Sequence, residues 1–312
     1  MEDQSGTILV GYDGSDDAEA AMRSAAEVLA PRRAVVAYVW DSLAALLLHT
    51  DPDGLTGTLR EAADELDQDD AEAARRLAAR GAELAEELGL QAVSVAARGK
   101  PKAWPTLLDL AAEHDARALV VGSRGLGRVS SALLGSVSSG VLDHADLPVF
   151  VVPPPQDRWA PGPIVIAYDG SEEAKSAVDV GGQLLKVREV VVHTVWTSHG
   201  AVASAGVAGA SVGVVTKAAE EIDRATRKRA RRTVHEGVRL AAAHGLAARA
   251  EVSRAEGSVA RTLVDVVDAH RASAVIVGSR GRGAVGAALL GSVSRALVHR
   301  VPAPVLVVRP PR

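Results

Sequence analysis

Cysteine is missing from this chain of 312 residues. Its absence excludes disulfides, thiolate metal centres and cysteine nucleophiles, and agrees with a cytoplasmic location. Aromatic side chains are almost as scarce, with one Phe, three Tyr and four Trp. Ala, Val and Leu must then fill the core, which favours a sheet of small and branched side chains covered by helices. No apolar run reaches the ~18 residues that a membrane span requires, so no membrane partner is expected. The opening Met1-Glu2-Asp3-Gln4 is acidic and does not read as a secretory signal. No His, Asp and Glu set has metal-ligand spacing. Neither a Gly-x-Ser-x-Gly elbow nor a Gly-x4-Gly-Lys-Ser/Thr phosphate loop occurs. On these grounds no catalytic residue and no protein metal ligand is assigned.

What the chain does contain, it contains twice. Val121-Gly122-Ser123-Arg124-Gly125 returns as Val277-Gly278-Ser279-Arg280-Gly281. Leu133-Leu134-Gly135-Ser136-Val137-Ser138 returns as Leu289-Leu290-Gly291-Ser292-Val293-Ser294. Tyr12-Asp13-Gly14-Ser15 returns as Tyr168-Asp169-Gly170-Ser171, and the offset is 156 residues in every case. Three separated motifs stay in register through tandem duplication, not through chance. The length suits two domains of ~150 residues, each burying its own core. The stiff run Pro153-Pro154-Pro155-Gln156-Asp157 marks the linker, placed at 154–160 between domains at 1–153 and 161–312.

A net charge of −4 hides an asymmetry: residues 1–156 hold 13 Lys/Arg against 25 Asp/Glu, and residues 157–312 hold 22 against 14. Glu61, Asp64, Glu65, Asp67, Asp69, Asp70 and Glu72 form an acidic run. The matching stretch of the second half carries Arg224, Arg227, Lys228, Arg229, Arg231 and Arg232. Solvated helix faces account for both, and mutual attraction within or between chains is the sharper alternative. The basic run lacks interleaved aromatics, so no nucleic-acid partner is expected.

Apolar strands alternate with helical patterns along each half. In the first, Thr7–Tyr12, Ala34–Trp40, Ala92–Ala97, Ala118–Gly122 and Pro148–Val152 read as strands. Ala18–Leu29, Ala71–Leu88, Trp104–His114 and residues 132–144 read as helices, with Ser15 capping the first. The second half repeats the strands at Ile164–Tyr168, Val190–Trp196, Ala247–Val252, Ala274–Gly278 and Val305–Val308. Residues 42–60 and 197–211 resist assignment. Continuous apolar strands separated by helices imply α/β architecture, a parallel sheet covered on both faces. His193 reads as a core or sheet residue, and Trp40 and Trp196 as packing or rim residues.

In such a sheet, ligands lie beyond the carboxyl ends of the strands, where strand order reverses. Asp13, Gly122-Ser123-Arg124-Gly125 and Gly135-Ser136 converge there. Glycines let a ligand approach the backbone, and a helix N-terminus adds unpaired amides and partial positive charge. That combination suits a phosphate chain. The carboxylate of Asp13 suits hydroxyl or amino donors instead, hence ribose or a base.

With the spacing Gly-x2-Gly-x9-Gly-Ser, the early Val-Gly-Tyr-Asp-Gly-Ser and the closing Pro-Val-x-Val-Val, nearly the whole chain resembles the universal stress protein family in its tandem form. The resemblance implies two Rossmann-like domains, each a five-stranded parallel sheet of order 3-2-1-4-5 with helices on both faces. It also implies bound ATP, with Mg²⁺ on the phosphates. By resemblance, Asp13 and Asp169 would contact the adenosine, and Val39 and Val195 would offer backbone groups to adenine. Val121, Gly122, Val277 and Gly278 would lie under the ribose and phosphates. Gly125, Gly135, Ser136 and Val137 would cradle the phosphates of one site; Gly281, Gly291, Ser292 and Val293 those of the other. Differences in the loop, Arg128 against Arg282 and Gly99-Lys100-Pro101-Lys102 against Ala255-Glu256-Gly257-Ser258, imply unequal affinities. The family pairs domains through the last strand, so an intramolecular pseudo-dimer is expected, with a homodimer of tandem chains left open.

The leading functional expectation is a non-enzymatic nucleotide sensor that regulates partners under stress or in dormancy. A slow ATPase or phosphotransferase is the alternative, with Arg124, Arg128, Arg280 and Arg282 supplying charge but no evident base. A ligand-free interaction module is the third.

Overall fold

The computed structural model describes residues 6–31, 33–42, 57–100, 102–125, 134–154, 162–186, 189–198, 212–281 and 290–310. It divides the chain into two compact units, Met1–Asp157 and Arg158–Arg312. The first runs β1 (Thr7–Gly11), α1 (Asp16–Val28), β2 (Arg33–Trp40), α2 (Gly57–Glu87), β3 (Gln91–Arg98), α3 (Ala103–Glu113), β4 (Ala118–Gly122), α4 (Ser136–His144) and β5 (Val149–Val152). The second runs β6 (Ile164–Ala167), α5 (Glu172–Leu184), β7 (Glu189–Trp196), α6 (Val212–Ala243), β8 (Ala247–Arg254), α7 (Val259–Ala269), β9 (Ala274–Gly278), α8 (Ser292–Arg300) and β10 (Val305–Val308).

Every strand pairing within a unit is parallel. The first sheet has the order β3-β2-β1-β4-β5 and the second β8-β7-β6-β9-β10. The expected order 3-2-1-4-5 therefore holds in both. Leu9 sits between Val35 and Leu119, and Val165 between Val191 and Val275. Ala118–Gly122 is buried at every residue, as a strand covered on both faces must be. The single Phe, Phe150, is completely buried on β5. At the outer strand β3 the cover thins, and Val93 is 56% exposed.

The turn after each first strand is set by its residues. Gly14 (φ +78) and Gly170 (φ +77) hold the left-handed conformation that side chains resist. Ser15 and Ser171 then cap α1 and α5, their hydroxyls accepting from the amides of Ala18 and Ala174 at 3.2 Å. Acidic residues fill both first turns, Asp16 and Asp17 in α1 and Glu172 and Glu173 in α5, where the helix dipole favours them.

Two boundaries depart from expectation. Helix α2 begins at Gly57, not at Ala71, so the acidic run is helical. Its inward stripe is Asp67, Ala74, Ala78 and Ala85. Among the described side chains of the helix, the first buried member of that stripe is a carboxylate, which conceals the apolar period. Asp67 is held there by the Ser42 hydroxyl at 2.5 Å and by Arg98 at 3.0 Å. Helix α4 starts at Ser136, not at 132: Gly135 is its N-cap in extended conformation and Leu134 precedes the helix. Of the two unassigned segments, 43–56 and 199–211 lie outside the described residues.

Candidate functional site

Strand order reverses between β1 and β4, and between β6 and β9, and the motif residues gather at those crevices. Asp13 and Asp169 follow the central strands. One oxygen of each is taken by the turn: Ser15 donates its amide and hydroxyl to Asp13 Oδ1 at 3.0 and 2.5 Å. Ser171 donates the same pair to Asp169 Oδ1 at 2.9 and 2.6 Å. The other oxygen faces the glycine loop. A Cβ on Gly125 would lie 2.5 Å from Asp13 Oδ2, and one on Gly281 would lie 2.9 Å from Asp169 Oδ2. No side chain fits between carboxylate and loop.

Gly122 and Gly278 answer a different demand. A Cβ on Gly122 would meet the Asp17 carbonyl oxygen at 3.1 Å, and one on Gly278 would meet the Glu173 carbonyl carbon at 2.8 Å. Glycine here lets the strand end touch the first turn of the neighbouring helix.

At the phosphate side expected from the motif, Gly135 and Gly291 cap α4 and α8 without any side-chain cap bond. Each glycine amide is tied back to the strand end, Gly135 to the Ser123 carbonyl and Gly291 to the Ser279 carbonyl, both at 2.8 Å. The first helical amide bonds come from Ser139 and Arg295, each at 2.9 Å. The amides of Ser136, Val137 and Ser138, and of Ser292, Val293 and Ser294, stand outside the helical ladder at its positive end. Ser138 and Ser294 turn their hydroxyls to the Gly122 and Gly278 carbonyls at 2.7 Å. These two serines, which sequence reasoning missed, clamp strand end to helix start.

In the second unit these pieces enclose one cavity of about 750 Å³. Its walls include Asp169, Val195, Val277 and Gly278, and also Gly281, Gly291, Ser292 and Val293, all eight residues expected there. In the first unit Val39 lies in β2, Val121 and Gly122 end β4, and Ser136 and Val137 open α4, in the same local arrangement. Arg124 is held by the helix, its Nε 3.4 Å from the Asp17 carboxylate. Burial raises the Asp17 carboxyl pKa, and Arg124 opposes that shift. Arg280 lines the second cavity. Arg128, Arg282 and Pro101 lie outside the described residues.

The cavity also has walls that the motifs did not announce. Thr226, Arg229 and Thr233 come from one face of α6, and Thr194, Trp196 and Thr197 from the end of β7. Trp196 carries Arg254 over its ring at 5.9 Å. His193 is 2% exposed and lines the cavity too. Its ring nitrogens have no hydrogen-bond partner among the described residues. The Glu251 carboxylate lies 3.7 Å from Nδ1, while the same carboxylate is engaged by His270 at 2.8 Å and by Arg249. Burial therefore decides, with His270 adding to it, and pushes His193 down to about 4.

A nucleotide triphosphate fits this chemistry: exposed amides and a bare helix start at one end, a carboxylate and hydroxyls at the other. Among the described residues no group of three or more His, Asp or Glu side chains is placed to hold a metal ion. A cation accompanying the phosphates would be held by phosphate oxygens and water. No helix among the described residues is long and apolar enough to cross a membrane.

Comparison with known proteins agrees with this organisation. The model of the universal stress protein family matches twice, over residues 5–153 and 162–309. A universal stress protein of Mycolicibacterium smegmatis is 30% identical over 308 residues, covering 97% of each chain. One from Mycobacterium tuberculosis is 31% identical over 218 residues, 66% of this chain and 65% of its own. Among solved structures, a universal stress protein from Archaeoglobus fulgidus shares the fold with a TM-score of 0.59 at 19% identity, covering 98% of this chain and 99% of its own. The chain belongs to the universal stress protein family, in its tandem two-domain form.

Proposed function

We propose that the protein binds ATP in each unit and acts as a nucleotide-dependent regulator, without turnover as its purpose. One observation carries the reading. The repeated glycines, the Asp169 carboxylate and the open start of α8 line a single cavity at the carboxyl ends of the second sheet. Main-chain amides at a helix N-terminus bind phosphate without needing a lysine or arginine. Ser171 engages one oxygen of Asp169, and the carboxylate lines the cavity, where it suits a ribose hydroxyl.

Binding favours the folded form by about 2.7 kcal/mol when ligand stands at a hundred times its dissociation constant. A population of closed, ligand-stiffened units is what a partner would read. Isothermal titration with Mg-ATP tests this. The intact chain takes up two equivalents, Gly135→Val and Gly291→Val one each, and the double variant none. At Gly291 a Cβ already presses on the Ser279 carbonyl oxygen at 3.2 Å and on Arg280 Cα at 3.3 Å. At Gly135 the Cβ itself makes ordinary contact with Arg124 Cα at 3.5 Å, and the added methyls of valine are what crowd the helix start. Absence of saturable heat from the intact chain at millimolar Mg-ATP removes the reading.

A further inference from the structure

The two sites differ most where the nucleoside would lie. In the first unit Tyr38 lies on β2 next to Val39, and burial raises its hydroxyl pKa, with the charges of Asp13, Asp41 and Asp70 adding to the shift in that order. At the 156-residue offset the second unit has Thr194, Asp169, Thr197 and Thr226 in place of Tyr38, Asp13, Asp41 and Asp70. Arg229 replaces Ala73, and Thr233 replaces Leu77.

The correspondence is structural as well as numerical. Asp67 on α2 accepts from Ser42, and Asp223 on α6 accepts from Ser198. A Cβ on Gly81 would press on Tyr12 and Val36, and one on Gly237 on Tyr168 and Val192. Both helices therefore present the same face to their sheets. On α6, Thr226, Arg229 and Thr233 fall on consecutive turns along the border of that face and line the cavity, Thr233 buried, Thr226 half-buried and Arg229 reaching solvent. Arg229 has no ion-pair or hydrogen-bond partner among the described residues.

We infer that the second unit's cavity takes an adenine nucleotide bearing an additional phosphate on its ribose, gripped by Arg229 with Thr226 and Thr233, and that the first unit's site rejects that group. The inference rests on the nucleotide reading above. One ribose hydroxyl remains for Asp169, and its phosphorylated neighbour meets a guanidinium that matches phosphate geometry in bidentate fashion. In the first unit the same phosphate meets Asp41 and Asp70, with Ala73 where a cation would be needed. Arg98, the nearby cation of that unit, is already paired with Asp67 at 3.0 Å.

The test is titration of AMP, adenosine 3′,5′-bisphosphate and adenosine 2′,5′-bisphosphate into chains with one site closed. With the first site closed by Gly135→Val, one of the bisphosphates binds about tenfold or more tighter than AMP, the range of a charge-assisted hydrogen-bonded pair. Arg229→Ala in that background brings the ratio to about one, and Arg229→Lys retains part of it. With the second site closed by Gly291→Val, neither bisphosphate outperforms AMP. Grafting Asp70→Thr with Ala73→Arg into that chain, both on the exposed side of α2, then confers the preference. AMP binding with no bisphosphate preference in the Gly135→Val chain overturns this inference and leaves the nucleotide reading standing. Failure of the intact chain to bind ATP and AMP alike overturns both.

Discussion

The two units share a backbone plan and differ in charge at matched positions. Around the first tyrosine, Glu19 and Arg80 act on Tyr12. Their counterparts are Lys175 and Glu236, which lie 3.9 Å apart, so the signs are exchanged. Ala37, Val93 and Val95 of the first unit become His193, Arg249 and Glu251 of the second. His193, 2% exposed where Ala37 is 1% exposed, is a polar change inside a strand. Elsewhere, what stays fixed is the apolar strand interior, the Asp-Gly-Ser turn, and the glycines that lie against backbone. The fold is specified by burial and close approach, and surface or half-buried charge is left to diverge. Ligand preference can then evolve separately in each half.

The comparison breaks most sharply in acid. Above about 6.5, His193 is neutral in both the folded and the unfolded chain. Between that value and about 4 the unfolded chain binds a proton that the folded chain refuses. Stability therefore falls as pH falls, by about 1.4 kcal/mol per unit, and levels off below about 4 after a loss of about 3 kcal/mol. His270, also lowered by burial and by Arg249, adds loss in the same direction. Denaturant unfolding of wild type and His193→Val between pH 7 and 4.5 is the measurement. The variant's stability declines less steeply, and superimposable slopes would remove His193 as the cause.

Next in size is the strand-end glycine. Gly278→Ala places a Cβ 2.8 Å from Glu173 backbone, whereas Gly122→Ala meets its nearest atoms, the carbonyl oxygens of Arg124 and Asp17, at 3.0 and 3.1 Å. Overpacking of this kind destabilises by about 1 to 3 kcal/mol, with the second unit the more affected. Thermal unfolding of the two variants orders them, and equal losses would show that the neighbouring helices give way equally. Smaller again is the serine clamp. Ser294→Ala leaves the Gly278 carbonyl without its 2.7 Å donor, and Ser138→Ala does the same at Gly122. Each loses about 1 kcal/mol. Ser294 also donates to the Ser279 carbonyl at 3.2 Å, so its loss is the larger of the two.

Much of this was legible in the sequence. Strands such as Ala118–Gly122 announce themselves because an uninterrupted apolar run bounded by a turn has few other uses. The Asp-Gly-Ser turn was equally plain, since Gly14 and Ser15 each have one local job. The sequence shows helix α2 short because the described part of its inward stripe opens with Asp67, a charge that only a tertiary partner explains. The cavity was half legible. Its glycines and helix starts are local features with a fixed spacing. Arg229, Thr226 and Thr233 belong to it because Gly237, packed on Tyr168, fixes how α6 is rotated over the sheet. A glycine inside the C-terminal part of a long helix was the one available signal. His193 was read correctly as a sheet residue, but its place on the cavity wall depends on the pairing of β7 with β8, which sets it beside Glu251.

The smallest expected effect sharpens the comparison from the other side. If charge is free to diverge, exchanging one unit's pair for the other's should be nearly silent. Lys175 and Glu236 are 35% and 41% exposed at 3.9 Å, in reach of solvent that screens them. The variant Lys175→Glu with Glu236→Arg rebuilds in the second unit the Glu19 and Arg80 arrangement of the first. Stability of the double variant stays within about 0.5 kcal/mol of wild type. Lys175→Glu alone is worse than the double, because it sets a like charge against Glu236, while the single and the double alike lose the 2.8 Å bond from Lys175 to Glu172. A double-mutant cycle by denaturant unfolding reads the coupling directly, expected at about 0.2 to 1 kcal/mol. A coupling several times larger would mean that this pair helps to specify the second unit, and that its sign is tied to the residues around Tyr168.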